Sequence, residues 1–166
     1  MPRVPRVIGA NHPCPASTSA ASCVRLADNS SLLRMVNVSW RPDAILPCYP
    51  MAVFAASDVV SASLARWGAW EIKHPSTMEE EAGVAPGSLP PPPGIFVDVG
   101  ANLGHHSLTF AQAGYTSLAF EPVARNRAAL RASLCANPHL RQRVILHATA
   151  LGSADTRGPC VAFAAA

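Results

Sequence analysis

Apolar and polar positions are patterned differently before and after Gly94. After it, short apolar runs alternate with longer amphipathic stretches. "GIFVDV" reads as a buried strand, "LGHHSLTFAQAG" as a helix with Leu103, Ser107, Phe110, Ala111 and Gly114 along one face, and "TSLAF" as a second strand. "VARNRAALRASLCANP" predicts a helix with Val123, Leu130 and Leu134 turned inward, closed by Asn137 and Pro138. "RVILHATAL" predicts a third strand. Strands and helices alternating at this spacing imply parallel pairing through right-handed crossovers, so the class is α/β with a Rossmann-like core.

The chain before Gly94 is less regular. Residues 1–40 combine Pro, Ser, Ala and Asn without sustained periodicity, which predicts an irregular leader, placed at 1–57. In "DVVSASLARWGAWE", Val59, Leu64 and Trp67 recur at helical spacing, with Asp58 as N-cap and Gly68 as stop. This predicts a short helical lead-in over 58–73. The segment 74–93 carries three consecutive glutamates and four consecutive prolines, a composition suited to a linker with polyproline II character. The compact part is therefore expected after Pro93, over 94–166.

Composition narrows this picture. With 166 residues, 49% of them hydrophobic, the chain can build one core. The formal charge of +3 comes from scattered arginines and does not demand nucleic acid. Arg125, Arg127, Arg131, Arg141 and Arg143 gather on and after the second helix, but no aromatic residues interleave with them for base stacking. They read as a solvated face. The five cysteines are odd in number and free of CxxC spacing, so they are expected to be ordinary thiols, with neither a disulfide framework nor a metal site.

No membrane span is expected, because the most apolar stretch, "AILPCYPMAVFAASDVV", is interrupted by Pro47, Pro50 and Asp58. Two targeting signals oppose each other. Arg3, Arg6, Arg25 and Arg34, with Asp28 the only acid in the first forty residues, are similar to an organelle transit segment. The sequons Asn29-Ser30-Ser31 and Asn37-Val38-Ser39 suit a secretory route instead.

The chemistry is concentrated where "GIFVDVGANLG" stops at a carboxylate and a glycine turn. In a parallel sheet, ligands bind beyond the carboxyl ends of the strands, where the first strand turns into its helix. Gly100 lets a ligand approach the backbone, and Gly104 lets the helix pack close. Glu121, ending the second strand in "LAFEP", can accept both hydroxyls of a ribose. The competing readings are plain turn glycines, Asp98 as a helix cap, and Glu121 as a solvated strand end. The turn Gly100-Ala101-Asn102-Leu103-Gly104 lacks the G-x-G-x-x-G spacing that holds a pyrophosphate. A carboxylate beside it repels a pyrophosphate and suits a cationic ligand, which favours S-adenosyl-L-methionine over NAD. An NAD-type Rossmann protein remains the alternative.

The stretch "VDVGANLGHHSL...AFEPVARNRAAL...N...V.LHATALGS" resembles the FkbM-type S-adenosylmethionine-dependent methyltransferases. The likeness covers about residues 95–153, with "DVGANLG" and "FEP...N" as its specific parts, and the "SDVVSASLARWGAWE" lead-in extends it to about Asp58. The resemblance implies a class I methyltransferase core. In it, Asp98, Gly100, Ala101, Asn102 and Gly104 lie against the methionine part of the cofactor, Glu121 binds its ribose, and Ala150 borders the adenine. It also implies O-methyl transfer to a small-molecule or sugar hydroxyl.

The family's later strands and its "D.EG" signature do not appear before Ala166, so the expectation is the N-terminal, cofactor-binding half of such a domain. The alternative is a non-catalytic fragment whose sheet a partner chain completes, which predicts exposed apolar surface at the sheet edge. His105 and His106 open the helix beside the turn and can be read as a general base or as packing residues; His147 reads as a strand-end residue. Trp67, Trp70 and Glu71 can be read as a lid or as packing onto the sheet.

Overall fold

The computed structural model describes Cys23, residues 33–38, 48–55 and 58–71, Gly83, Ala85, Ser88 and residues 93–153. Most of the 74–93 linker and everything after Ser153 lie outside the described residues. The fold is mixed α/β, with a three-stranded parallel sheet and a separate antiparallel pair.

The antiparallel pair corrects the expectation of an irregular leader. Strands β1 (Leu33–Val38) and β2 (Tyr49–Phe54) pair with Val36 opposite Met51 and Asn37 opposite Pro50. Along β2, Tyr49, Met51, Ala52 and Val53 are all buried, so the core begins well before Pro93. Neither strand shows a clean alternation: in β2, Met51, Ala52 and Val53 are buried in succession and Pro50 interrupts the run. What buries them lies some eighty residues downstream: the Ala52 N–H donates to Ser133 Oγ at 2.8 Å, and Asn137 Nδ2 donates to the Pro50 carbonyl at 2.7 Å.

Helix α1 (Val59–Trp67) follows, and its ends match the sequence reading. Asp58 Oδ1 accepts from the Ser61 N–H at 2.9 Å, and Gly68, at φ 67°, closes the helix with its N–H on the Leu64 carbonyl. Of the three residues at helical spacing, only Leu64 is buried. Ser61 and Leu64 face inward, while Val59 is 70% and Trp67 51% exposed. Trp67 carries the guanidinium of its neighbour Arg66 over its ring, 4.7 Å from the centroid.

From Ile95 the predicted alternation appears: β3 (Ile95–Val99), α2 (His105–Gln112), β4 (Thr116–Phe120), α3 (Ala124–Ala136), the single turn α4 (Pro138–Arg141) and β5 (Val144–His147). The parallel order is β3-β4-β5, with Asp98 opposite Ala119 and Ala119 opposite Leu146. Helix α2 packs across the sheet and α3 against β2, so the helices lie between sheet and hairpin. The Tyr49 hydroxyl reaches Thr109 Oγ1 of α2 at 3.1 Å and joins the hairpin to that layer. Leu103, Ser107, Phe110 and Ala111 are buried as predicted, as are Leu130 and Leu134, whereas Val123 is half-buried.

Two further expectations are corrected. Strand β3 is not buried on both faces: Phe96 and Asp98 turn toward the helices, while Ile95, Val97 and Val99 are 67%, 52% and 61% exposed. Among the described residues nothing packs on that side, so the period-2 alternation of a strand leaves alternate side chains open. The cysteines are not all free thiols. Cys23 and Cys135 form a disulfide across a sequence separation of 112, and Cys48 is disulfide-bonded as well. Pairing over such distances leaves no trace in local spacing; it arises because Cys23 is buried beside Ala136 and Met35 at the end of α3. Among the described residues no helix is long and apolar enough to cross a membrane, and no group of three His, Cys, Asp or Glu residues could hold a metal ion.

Candidate functional site

The carboxyl ends of β3, β4 and β5 are tied to one another by backbone hydrogen bonds. The Gly100 and Ala101 N–H groups both donate to the Phe120 carbonyl, at 2.9 and 3.0 Å, and the Glu121 N–H donates to the His147 carbonyl at 3.1 Å. The turn after β3 therefore folds back over the end of β4. It does so through three left-handed residues, Gly100 at φ 80°, Asn102 at φ 51° and Gly104 at φ 86°.

The two glycines have different surroundings. An alanine Cβ at Gly100 would meet nothing within 4 Å, so the backbone there borders open space. A Cβ at Gly104 would collide with Leu130 Cδ1, so that glycine admits α3 against the start of α2. Ala101 is buried and Asn102 half-buried.

Glu121 is the centre of the site. It is only 4% exposed, and its carboxylate spans the turn and the next helix: Oε2 accepts from the Asn102 N–H at 2.7 Å and Oε1 from the Val123 N–H at 2.8 Å. A carboxylate offers about four lone-pair directions, so two remain after these bonds. Arg127 bonds to the backbone beside it. Its guanidinium Nη1 donates to the backbone carbonyls of Glu121 and Pro122. Asp98 is buried on the helix-facing side of β3, where Ser107 Oγ donates to Oδ2 at 2.5 Å. Its position two residues before Gly100 adds a second buried carboxylate beside the turn, and two such charges favour cationic over anionic ligands.

Neither a family model, a curated protein nor a solved structure matches the chain.

The structure brings Asp98, Gly100, Ala101, Asn102, Gly104 and Glu121 together at the carboxyl rim of the sheet. Ala150 is exposed, three residues beyond β5 at the same rim, with no contact that joins it to the turn among those described. His105 is buried, and its Nε2 accepts from the Trp70 N–H at 3.3 Å, which anchors the lead-in segment to the start of α2. His106 is half-buried. His147 stacks on Phe120 with centroids 4.6 Å apart, directly before Glu121.

Of the five arginines, Arg125, Arg131, Arg141 and Arg143 are exposed, but Arg125 lies 5.5 Å over the Phe54 ring, Arg143 donates to the Gly114 carbonyl at 2.7 Å, and the half-buried Arg127 clamps the β4–α3 connection. The solvated-face reading therefore holds for only part of the cluster. Sequence reasoning missed Ser107 as the partner of Asp98. Its spacing, nine residues on and within the first turn of the helix, is too common to signal such a contact.

Proposed function

We propose that the chain binds S-adenosyl-L-methionine at the Asp98–Gly104 turn and acts in methyl transfer as the cofactor-binding part of an FkbM-type, class I methyltransferase core. The observation that carries this reading is Glu121: a buried carboxylate at the end of the second parallel strand, held by the turn's own amide and retaining free lone pairs beside open backbone at Gly100. In this reading Glu121 accepts the ribose hydroxyls, Gly100 and Ala101 form the floor under the methionine portion, and Asp98 supplies negative charge beneath its cationic groups. Ala150 borders the adenine by resemblance only.

The residues present suit that ligand: among the described residues no side chain fills the space over Gly100, and the nearby Arg127 bonds to the backbone carbonyls of Glu121 and Pro122. Once bound, the cofactor supplies a methyl group already activated by its sulfonium for in-line displacement. The chain's part is alignment: the turn and Glu121 fix the nucleoside so that the methyl group presents one face to an acceptor hydroxyl on a small molecule or sugar.

Calorimetric titration with S-adenosylhomocysteine tests the reading. Binding by the full chain should weaken at least about tenfold in Glu121→Ala, equivalent to about 1.4 kcal/mol. Glu121→Gln, which retains an acceptor oxygen, should fall between. Thermal melts of each variant separate lost contact from lost fold. Equal heats for wild type and Glu121→Ala, or preferential binding of NAD, would overturn it.

A further inference from the structure

The cofactor reading leaves both sequons unused; Asn29-Ser30-Ser31 and Ser39 lie outside the described residues, while Asn37 and Val38 of the second sequon are described. Asn37 is exposed near the end of β1, while Val38 beside it is fully buried, so strand alternation turns the Asn37 side chain away from the core. Its partner across the ladder is Pro50, which has no N–H to donate. The Pro50 carbonyl points away from β1, to Asn137 Nδ2, so this is a non-hydrogen-bonded rung that needs no N–H from Pro50.

A second, independent observation concerns the thiols. Cys23 is bonded to Cys135, and Cys48 is also disulfide-bonded. Disulfides persist in secretory and extracellular compartments and are rare in the cytosol. The exposed Asn37 and the oxidised cysteines thus point to the same place.

We propose that Asn37 is an N-glycosylation site, modified in the oxidising lumen where the Cys23–Cys135 bond forms. The donor is a lipid-pyrophosphate-linked oligosaccharide handled by the lumenal transferase. The Asn37 side-chain nitrogen loses a proton and bonds to the anomeric carbon, whose bond to the pyrophosphate oxygen breaks, releasing the lipid pyrophosphate. Disulfide formation passes two electrons and two protons to the lumen's disulfide carriers. The proposal does not depend on the identity of the cofactor.

The test is expression of the full chain, with its own N-terminus, in a eukaryotic cell. Free thiols are alkylated at lysis, and glycans are released in heavy-oxygen water by an amidase that converts each glycosylated asparagine to a labelled aspartate. The expected result is that label at position 37, together with a Cys23–Cys135 cross-linked peptide. Asn37→Gln and Ser39→Ala should each abolish label at position 37 and leave the cross-link in place. The Ser39→Ala variant keeps Asn37 itself, so loss of label there reports the sequon and not a folding defect. An unlabelled position 37 in the wild type overturns the proposal, whether or not the disulfide is found.

Discussion

Gly100 and Gly104 carry the same sequence signal and have different physical reasons to be glycine. Both hold left-handed backbone, at φ 80° and 86°, but only Gly104 lies against another side chain. Gly100→Ala should therefore cost about 1 kcal/mol from backbone strain alone. Gly104→Ala adds overpacking against the fully buried Leu130, for a total of about 2–4 kcal/mol. Urea denaturation should rank the two variants in that order, and Leu130→Ala should relieve part of the Gly104→Ala penalty in the double variant. If Gly100 borders the ligand, its variant should lose affinity for S-adenosylhomocysteine out of proportion to its small loss of stability. The need for glycine at both positions was legible in "DVGANLG". The identity of the neighbour was not, because Leu130 sits on a different helix, reached only when α3 folds onto α2.

At the scale of elements, local signals were the readable ones. Asp58 and Gly68 end α1 as expected because capping involves residues within one turn of each other. Which face α1 buries depends on β1 and β2, two strands that local pattern does not reveal, and so of Val59, Leu64 and Trp67, which recur at helical spacing, only Leu64 is buried.

The link between hairpin and helix layer has a pH signature. Burial raises the Tyr49 phenol well above its ordinary value near 10, despite the opposing effect of the Thr109 hydrogen bond. Below about pH 10 the phenol is protonated in both folded and unfolded chains, and its contribution is fully present. As pH rises further, the unfolded chain releases the proton and the folded chain holds it, so stability should fall by up to about 1.4 kcal/mol per pH unit. Denaturation midpoints measured between pH 8 and 11 should show this decline in the wild type. Tyr49→Phe should flatten it, at the cost of one buried hydrogen bond at neutral pH, about 1 kcal/mol.

For the molecule as a whole, the main consequence is an apolar sheet face that no described residue covers. Ile95, Val97, Val99 and Ile145 remain between 48% and 67% exposed, and β3 is an edge strand among the described residues. Parallel sheets are ordinarily covered on both faces, and open apolar patches favour association and dye binding. Val97→Lys should therefore lower the fluorescence of a hydrophobic dye and reduce concentration-dependent association in sedimentation. Its unfolding free energy should change by no more than about 0.5 kcal/mol, since the side chain is half exposed already.

What the sequence determined by itself is the part written in short-range pattern. The order of strands and helices after Gly94, the left-handed glycine turn and the carboxylate ending β4 all follow from spacing within some two dozen residues. Periodicity and turn chemistry are properties of adjacent positions, so they survive in a one-dimensional reading. Tertiary structure alone decided that β1 and β2 pair and that β2 packs on α3, that Cys23 meets Cys135, and that no described residue covers one face of β3. Each of these depends on which distant segments come to share a surface. Burial and cross-linking are outcomes of that meeting and not of any local propensity.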